Sequence, residues 1–172
     1  MRHLTLFVLL AFLAAVACQT ASTTSTTSTG ASATAAFDDS DCNLSTPLQP
    51  GVPGSPGHLV KSARNPNGDS ELALVMRLFV DDLQAARALT EAGQPVKKLF
   101  ATHRKIRCAW PTKPEERNAT FDGLAQGYLA AVRAFDDAPS KSTYNAIIAN
   151  CVACHSVACG GVLEFIGSMQ WQ

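Results

Sequence analysis

The chain has 172 residues, in which 14 lysines and arginines are balanced by 14 aspartates and glutamates. That length suits one modest domain with appendages, and a formal net charge of zero offers no strongly basic surface, so nucleic acid is not an expected partner. No apolar run reaches the roughly 20 residues that a membrane-spanning helix needs, and no internal repeat is visible apart from pairs of helices.

Met1-Arg2-His3 followed by the apolar run Leu4 to Ala14 reads as a secretory signal, residues 1–17: a short basic end and an apolar region too short to span a membrane. It ends in Ala15-Val16-Ala17-Cys18, which looks like a bacterial lipobox. Cleavage without lipidation would leave Cys18 as an exposed thiol outside the cytoplasm, a liability that favours a lipid anchor at Cys18. Gln19, rather than aspartate, follows the cysteine, so the expected location is the periplasmic face of a bacterial membrane, as an outer-membrane lipoprotein. Residues 18–67 read as a lipid-anchored linker. It is Ser/Thr-rich to Ala36, then punctuated by Pro47, Pro50, Pro53, Pro56 and Pro66, and it either drapes over the domain or extends the tether. His58 in this stretch reads as a solvated loop residue.

The folded domain is expected over 68–172. Asp69 is the predicted N-cap of a first helix, with Glu71 in its first turn. Leu72, Met76, Phe79, Leu83 and Ala86 form its apolar stripe, and Arg77, Asp81 and Asp82 face away. Gly93 stops this helix and Pro95 opens a second, to Cys108, with Val96, Leu99, Phe100 and Ile106 apolar. Lys97, Lys98, Arg104, Lys105 and Arg107 give it a basic face, solvated or able to dock an acidic redox partner. His103 reads as a surface residue. Thr112 and Glu115 have capping-box spacing ahead of a third helix with the stripe Phe121, Leu124, Tyr128, Val132 and Phe135. Pro139 breaks it. A fourth helix from about Ser140 turns Tyr144, Ile147, Ile148 and Cys151 inward and ends at Gly160-Gly161.

That fourth helix carries Cys151-Val152-Ala153-Cys154-His155. Two cysteines three apart, followed at once by a histidine, read as a c-type haem attachment site. Haem has two vinyl groups, each able to accept a thiol as a thioether. Cysteines at i and i+3 leave one helix face, and a histidine at i+4 stands beside the first, aimed at the iron. One covalent haem c is therefore expected on Cys151 and Cys154, with His155 as a metal ligand. Two other readings are a zinc site that also uses Cys159, and a redox disulfide. Of the remaining cysteines, Cys42, Cys108 and Cys159, two could pair in an oxidising compartment, and the sequence does not say which. Only a short tail with Met169 follows His155, so a sixth ligand and the pocket walls must come from upstream; Val162 to Trp171 is expected to fold back over the haem edge.

Four amphipathic helices on short links bury one core best as an antiparallel up-down-up-down bundle, all-α, with the haem on its C-terminal helix. Such a bundle resembles the cytochrome c′ family, including its low-spin members with a methionine ligand from the first helix; the stretch Asn65 to Leu74 and the ending Cys151 to Cys159 are also similar to a group of bacterial exported haem proteins of this shape. One departure is that Cys159 stands where cytochromes c′ usually carry arginine or lysine. The family often pairs through its first helices, which implies a possible homodimer. Met76 lies near the start of an up-running helix, level with the end of a down-running fourth helix, and is the expected second metal ligand. Leu72, Phe79, Leu83, Phe121 and Tyr128 would line the cofactor. Histidine with methionine favours electron transfer with a partner redox protein. The alternative is a gas-binding module for nitric oxide or carbon monoxide with an open distal face. No second histidine is placed with a carboxylate in the sequence, so no enzyme is expected.

Overall fold

Helix-forming runs dominate the chain from Glu71 onward, and a computed structural model describes residues 42–158 and 160–172. The signal segment 1–17, the lipidation site Cys18, the linker as far as residue 41, and Cys159 lie outside the described residues. The first helix, α1, is Glu71–Glu91. Its cap is Ser70, not Asp69: the Ser70 hydroxyl accepts the N–H of Ala73. Asp69 is drawn away because its buried carboxylate takes a two-pronged contact from Arg77, one prong being 2.7 Å long. That guanidinium holds the Asp69 carboxyl down at about 2, so Arg77 does not face away as the stripe implies. Glu71 stands in the first turn as expected. The helix ends in a Schellman arrangement, with Gly93 at φ 64° and N–H groups of Gly93 and Gln94 reaching back to Thr90 and Leu89.

The remaining helices are α2, Phe100–His103; α3, Ala119–Asp137; α4, Lys141–Ala158; and α5, Leu163–Ser168. The chain is thus mainly helical, and it adds a two-stranded sheet that an all-helical expectation did not contain. Strands β1, Val60–Ser62, and β2, Asn65–Asp69, pair antiparallel with Val60 opposite Asp69 and Ser62 opposite Asn65. These strands are short, polar and interrupted by Pro66 and Gly68, so no alternating apolar pattern announces them.

The second long helix does not form. Leu99 and Phe100 give their N–H groups, at 2.8 and 2.9 Å, to the Asp136 carboxylate of α3, so the helix begins there and leaves Pro95 outside it. After one turn the chain tightens into a 3-10 turn, Arg104–Cys108. The basic face is broken too. Arg107 is buried and clasps Asp122 at 2.8 and 3.0 Å, while Lys98 donates to the Asp136 carbonyl. Thr112 and Glu115 make no capping box; a 3-10 turn occupies Pro114–Glu116 and the cap of α3 is Asn118, whose side chain accepts from Thr120 and Phe121.

α3 and α4 run antiparallel. Phe135 meets Tyr144 edge-on, ring centroids 6.3 Å apart, and further down a Cβ on Gly127 would stand 3.1 Å from Asn150 Oδ1. α1 runs antiparallel to α4 as well: Tyr144 shares a cavity with Gln84, Arg87, Ala88 and Glu91, while Phe79, lower on α1, stacks near Tyr128, which senses Cys151 two turns further along α4. Phe79, Leu83 and Ala86 close the core with Ala125, Leu129, Val132, Phe135, Tyr144, Ile147 and Ile148. Ala125 and Leu129 are fully buried where Phe121 and Leu124 are only half-buried, so the buried face of α3 is turned slightly from the expected stripe.

The linker reading needs one adjustment. From Cys42 onward the chain drapes over the helices: Trp110 Nε1 donates to the Gln49 carbonyl at 2.7 Å, Arg117 reaches the Asn43 and Thr46 carbonyls, Glu71 N–H meets Gly54 O, and Cys42 is bonded to Cys108. The C-terminal tail also lies elsewhere than expected. Tyr144 OH donates to the Met169 carbonyl and Trp171 exchanges two hydrogen bonds with Asn145, so the tail covers the first turns of α4, not the end that carries the Cys-X-X-Cys-His sequence. No helix among the described residues is long and apolar enough to cross a membrane.

The Cys42–Cys108 bridge spans 66 residues of sequence. Closing a loop of that length restricts the unfolded chain by about 4 kcal/mol on the chain-entropy account. Guanidinium unfolding of the Cys42→Ser/Cys108→Ser variant should show a loss of that order against wild type; an unchanged midpoint would contradict it.

Candidate functional site

The starts of α1 and α3 and the end of α4 meet at one end of the helical body. The antiparallel pairings fix this. Met76 lies about three turns before the Arg87–Ala88 level that Tyr144 shares, and His155 lies about three turns beyond Tyr144, each roughly 16 Å along its helix. Met76 and His155 are therefore level. Met169, beside Tyr144, is at the opposite end.

Here the packing changes character. Leu83 and Phe79, with 2% and 3% exposure, belong to the closed core, whereas Leu72, Val75, Met76, Phe121, Cys151 and Val152 pack against that core yet stay half-buried. These half-covered apolar side chains come from the starts of α1 and α3 and the last turns of α4. Of the expected lining residues, Leu72, Met76 and Phe121 are half-buried, whereas Phe79, Leu83 and Tyr128 belong to the buried core. Their apolar chemistry is compatible with a flat apolar group held on α4.

Cys151 and Cys154 occupy i and i+3 of α4, and His155 follows, half-buried. Neither cysteine is in a disulfide. Burial, and then the neighbouring Cys154, push the Cys151 thiol up to about 12. A thiol so firmly protonated is a poor nucleophile and a poor dithiol catalyst, which weighs against the redox-disulfide reading. Among the described residues no three His, Cys, Asp or Glu side chains converge as a metal set.

His103 is a correction. It is not at the surface but fully buried, stacked on Phe79 with ring centroids 4.0 Å apart and with Tyr128 5.9 Å away in a near-parallel plane. Its Nδ1 is 2.6 Å from the Tyr128 hydroxyl, and its Nε2 is 3.4 Å from Asp82 Oδ2. The second histidine that the sequence left without a carboxylate has one, and Asp82 does not simply face solvent. With Nε2–H directed at Asp82, Nδ1 is the acceptor for the Tyr128 O–H. The signal was present: His103 falls four residues after Leu99 and three before Ile106, on the apolar positions of its own segment. Its charge-bearing neighbours Arg104 and Lys105 obscured it. His58, by contrast, is exposed as expected.

No protein-family model, curated protein or solved structure matches the chain.

Burial lowers the His103 pKa to about 4, against the opposing pull of Asp82 and Asp136. The unfolded imidazole, near 6.5, then takes a proton first as pH falls. Stability is full above about pH 6.5, declines as pH falls towards about 4, and levels off below, a loss on the order of 3 kcal/mol. Urea unfolding at pH 7, 5 and 4 should trace this decline, and His103→Gln should remove it; an equal decline in both proteins would assign it elsewhere.

Proposed function

We propose that the chain is an exported c-type cytochrome of the cytochrome c′ kind, acting in electron transfer with one covalent haem. What supports this reading is the Cys-X-X-Cys-His sequence of Cys151, Cys154 and His155 in the last turns of α4, together with Met76 on the antiparallel α1, which by helix rise would stand at a similar height. A bound haem supplies one-electron chemistry at iron. Cys151 and Cys154 would hold it through thioethers, so that it is not lost to solvent. His155 would give the iron an imidazole nitrogen, and Met76 a thioether sulfur that raises the reduction potential and excludes exogenous ligands. Leu72, Phe121 and Val152, half-buried apolar side chains of α1, α3 and α4, would help keep water from the bound group.

The architecture belongs to the proposal: α1, α3 and α4 act as three staves of an antiparallel up-down-up-down bundle, and the segment 99–108 acts as a shortened second stave. The signal segment and Cys18 support export and a lipid anchor at the periplasmic face of a bacterial membrane, where a redox partner protein would exchange electrons. An anchored carrier on a wrapped segment of this kind works next to membrane-bound donors.

Protein made with a c-type maturation system should retain its haem through acid-acetone extraction and give a haemochrome spectrum of two thioethers, and Cys151→Ala/Cys154→Ala should release it. Extractable haem, or none, would defeat the reading. Ferric wild type should be low-spin; Met76→Leu should move it towards high spin and admit carbon monoxide. A high-spin wild type that binds carbon monoxide directly would favour the gas-binding alternative over electron transfer.

A further inference from the structure

Asp82, His103 and Tyr128 form a row of polar groups inside an otherwise apolar core, and nothing in the attachment chemistry uses them. The row starts at Asp82, whose side chain is 26% exposed. It passes through His103, with no exposure, and ends at the Tyr128 hydroxyl, 2.6 Å from His103 Nδ1. His103 Nε2 has no hydrogen bond of good geometry and rests 3.4 Å from the Asp82 carboxylate. Beyond Tyr128 lies Cys151 on α4, near enough to count among the phenol's neighbours. A buried imidazole left with a half-made contact costs stability, and such a group in a native core calls for an explanation.

We propose that this row is a proton-uptake site, so that His103 takes up one proton as one electron enters the haem from a reduced partner protein. The inference rests on the haem reading above. The balance is simple: the donor protein loses one electron, solvent gives up one proton by way of the exposed end at Asp82, and reoxidation returns both. Afterwards both ring nitrogens donate, Nε2–H to Asp82 and Nδ1–H to the Tyr128 oxygen, so the hydrogen bond between imidazole and phenol reverses direction. The Tyr128 hydroxyl hydrogen is then free to turn towards the Cys151 side.

The driving force would be the negative charge that an electron adds to a haem held on Cys151, the residue beyond Tyr128, in a low-dielectric interior where charges interact over longer distances than in water. The groups that face His103 come from each neighbouring element. Asp82 on α1 and Asp136 on α3 favour its protonation, and Tyr128 on α3 accepts from it once charged. Cys151 on α4, uncharged as a thiol or a thioether, lies beyond Tyr128. On its own segment Arg107 is engaged by Asp122, and Arg104 and Lys105 flank it in sequence. Burial opposes protonation in the oxidised protein, which leaves room for the site to load on reduction.

The test is a spectroelectrochemical titration of the full haem-loaded chain from pH 4 to pH 8, with a protein donor replaced by dithionite. The midpoint should fall as pH rises above about 4, by at most about 59 mV per pH unit for one proton and one electron, and then flatten. His103→Gln should remove that segment and leave the spin state unchanged. Tyr128→Phe, which keeps the ring and loses the hydroxyl, should displace it. Independently, the His103 imidazole resonances in wild type should titrate at a higher pH in the reduced protein than in the oxidised one, a readout that does not depend on the variants folding. Haem-loaded protein with a flat midpoint, or with the same His103 titration in both oxidation states, would overturn this inference and leave the cytochrome reading standing. A chain that binds no haem would overturn both.

Discussion

Three polar side chains of α3 pin the segment before it. Asp136 takes the N–H groups of Leu99 and Phe100, Tyr128 takes His103, and Asp122 takes Arg107. The order of these contacts is antiparallel, so the segment 99–107 lies against α3 as a helix of a bundle would. It is held by hydrogen bonds and an ion pair, not by an apolar stripe. The rest of the body follows from this. The pins bring His103 into the core, set Cys108 where Cys42 can reach it, and leave α3 free to offer its other face to α4.

Burying these groups is costly unless each is satisfied. The Arg107 and Asp122 pair shows how that cost is met: two hydrogen bonds link guanidinium and carboxylate, Gln126 adds a third contact to Asp122 at 2.7 Å, and Arg107 holds the Asp122 carboxyl below its usual range. Asp69 and Arg77 repeat the arrangement at the start of α1, where the ion pair ties the hairpin to the helix. Paired charges of this sort contribute less to stability than to register, because a shifted segment would strand a charge in the interior.

The long helices were legible because their evidence is local. Apolar residues at helical spacing, with glycine or proline at the ends, mark α1 and α4 within a residue or two, whereas α3 begins only at Ala119 behind Asn118, several residues beyond the Thr112–Glu115 spacing that suggested its start. The reading of Cys151 to His155 is local in the same way, resting on five adjacent residues. What was not legible depends on partners far away in the chain. Asp136 shortens the second helix from 36 residues downstream of Phe100, Arg77 diverts Asp69 from capping, and Tyr128 and Asp82 turn an apparent surface histidine into a buried one. The strands β1 and β2 carry no apolar alternation, and the pairing of Cys42 with Cys108 cannot be counted out of a list of cysteines.

The bridge also bears on how the chain is made. If the chain enters an oxidising compartment from its N-terminal side, Cys18, Cys42 and Cys108 arrive before Cys151, Cys154 and Cys159. The bond between Cys42 and Cys108 joins two of the early arrivals, so their pairing would withdraw both thiols from competition with the later cysteines.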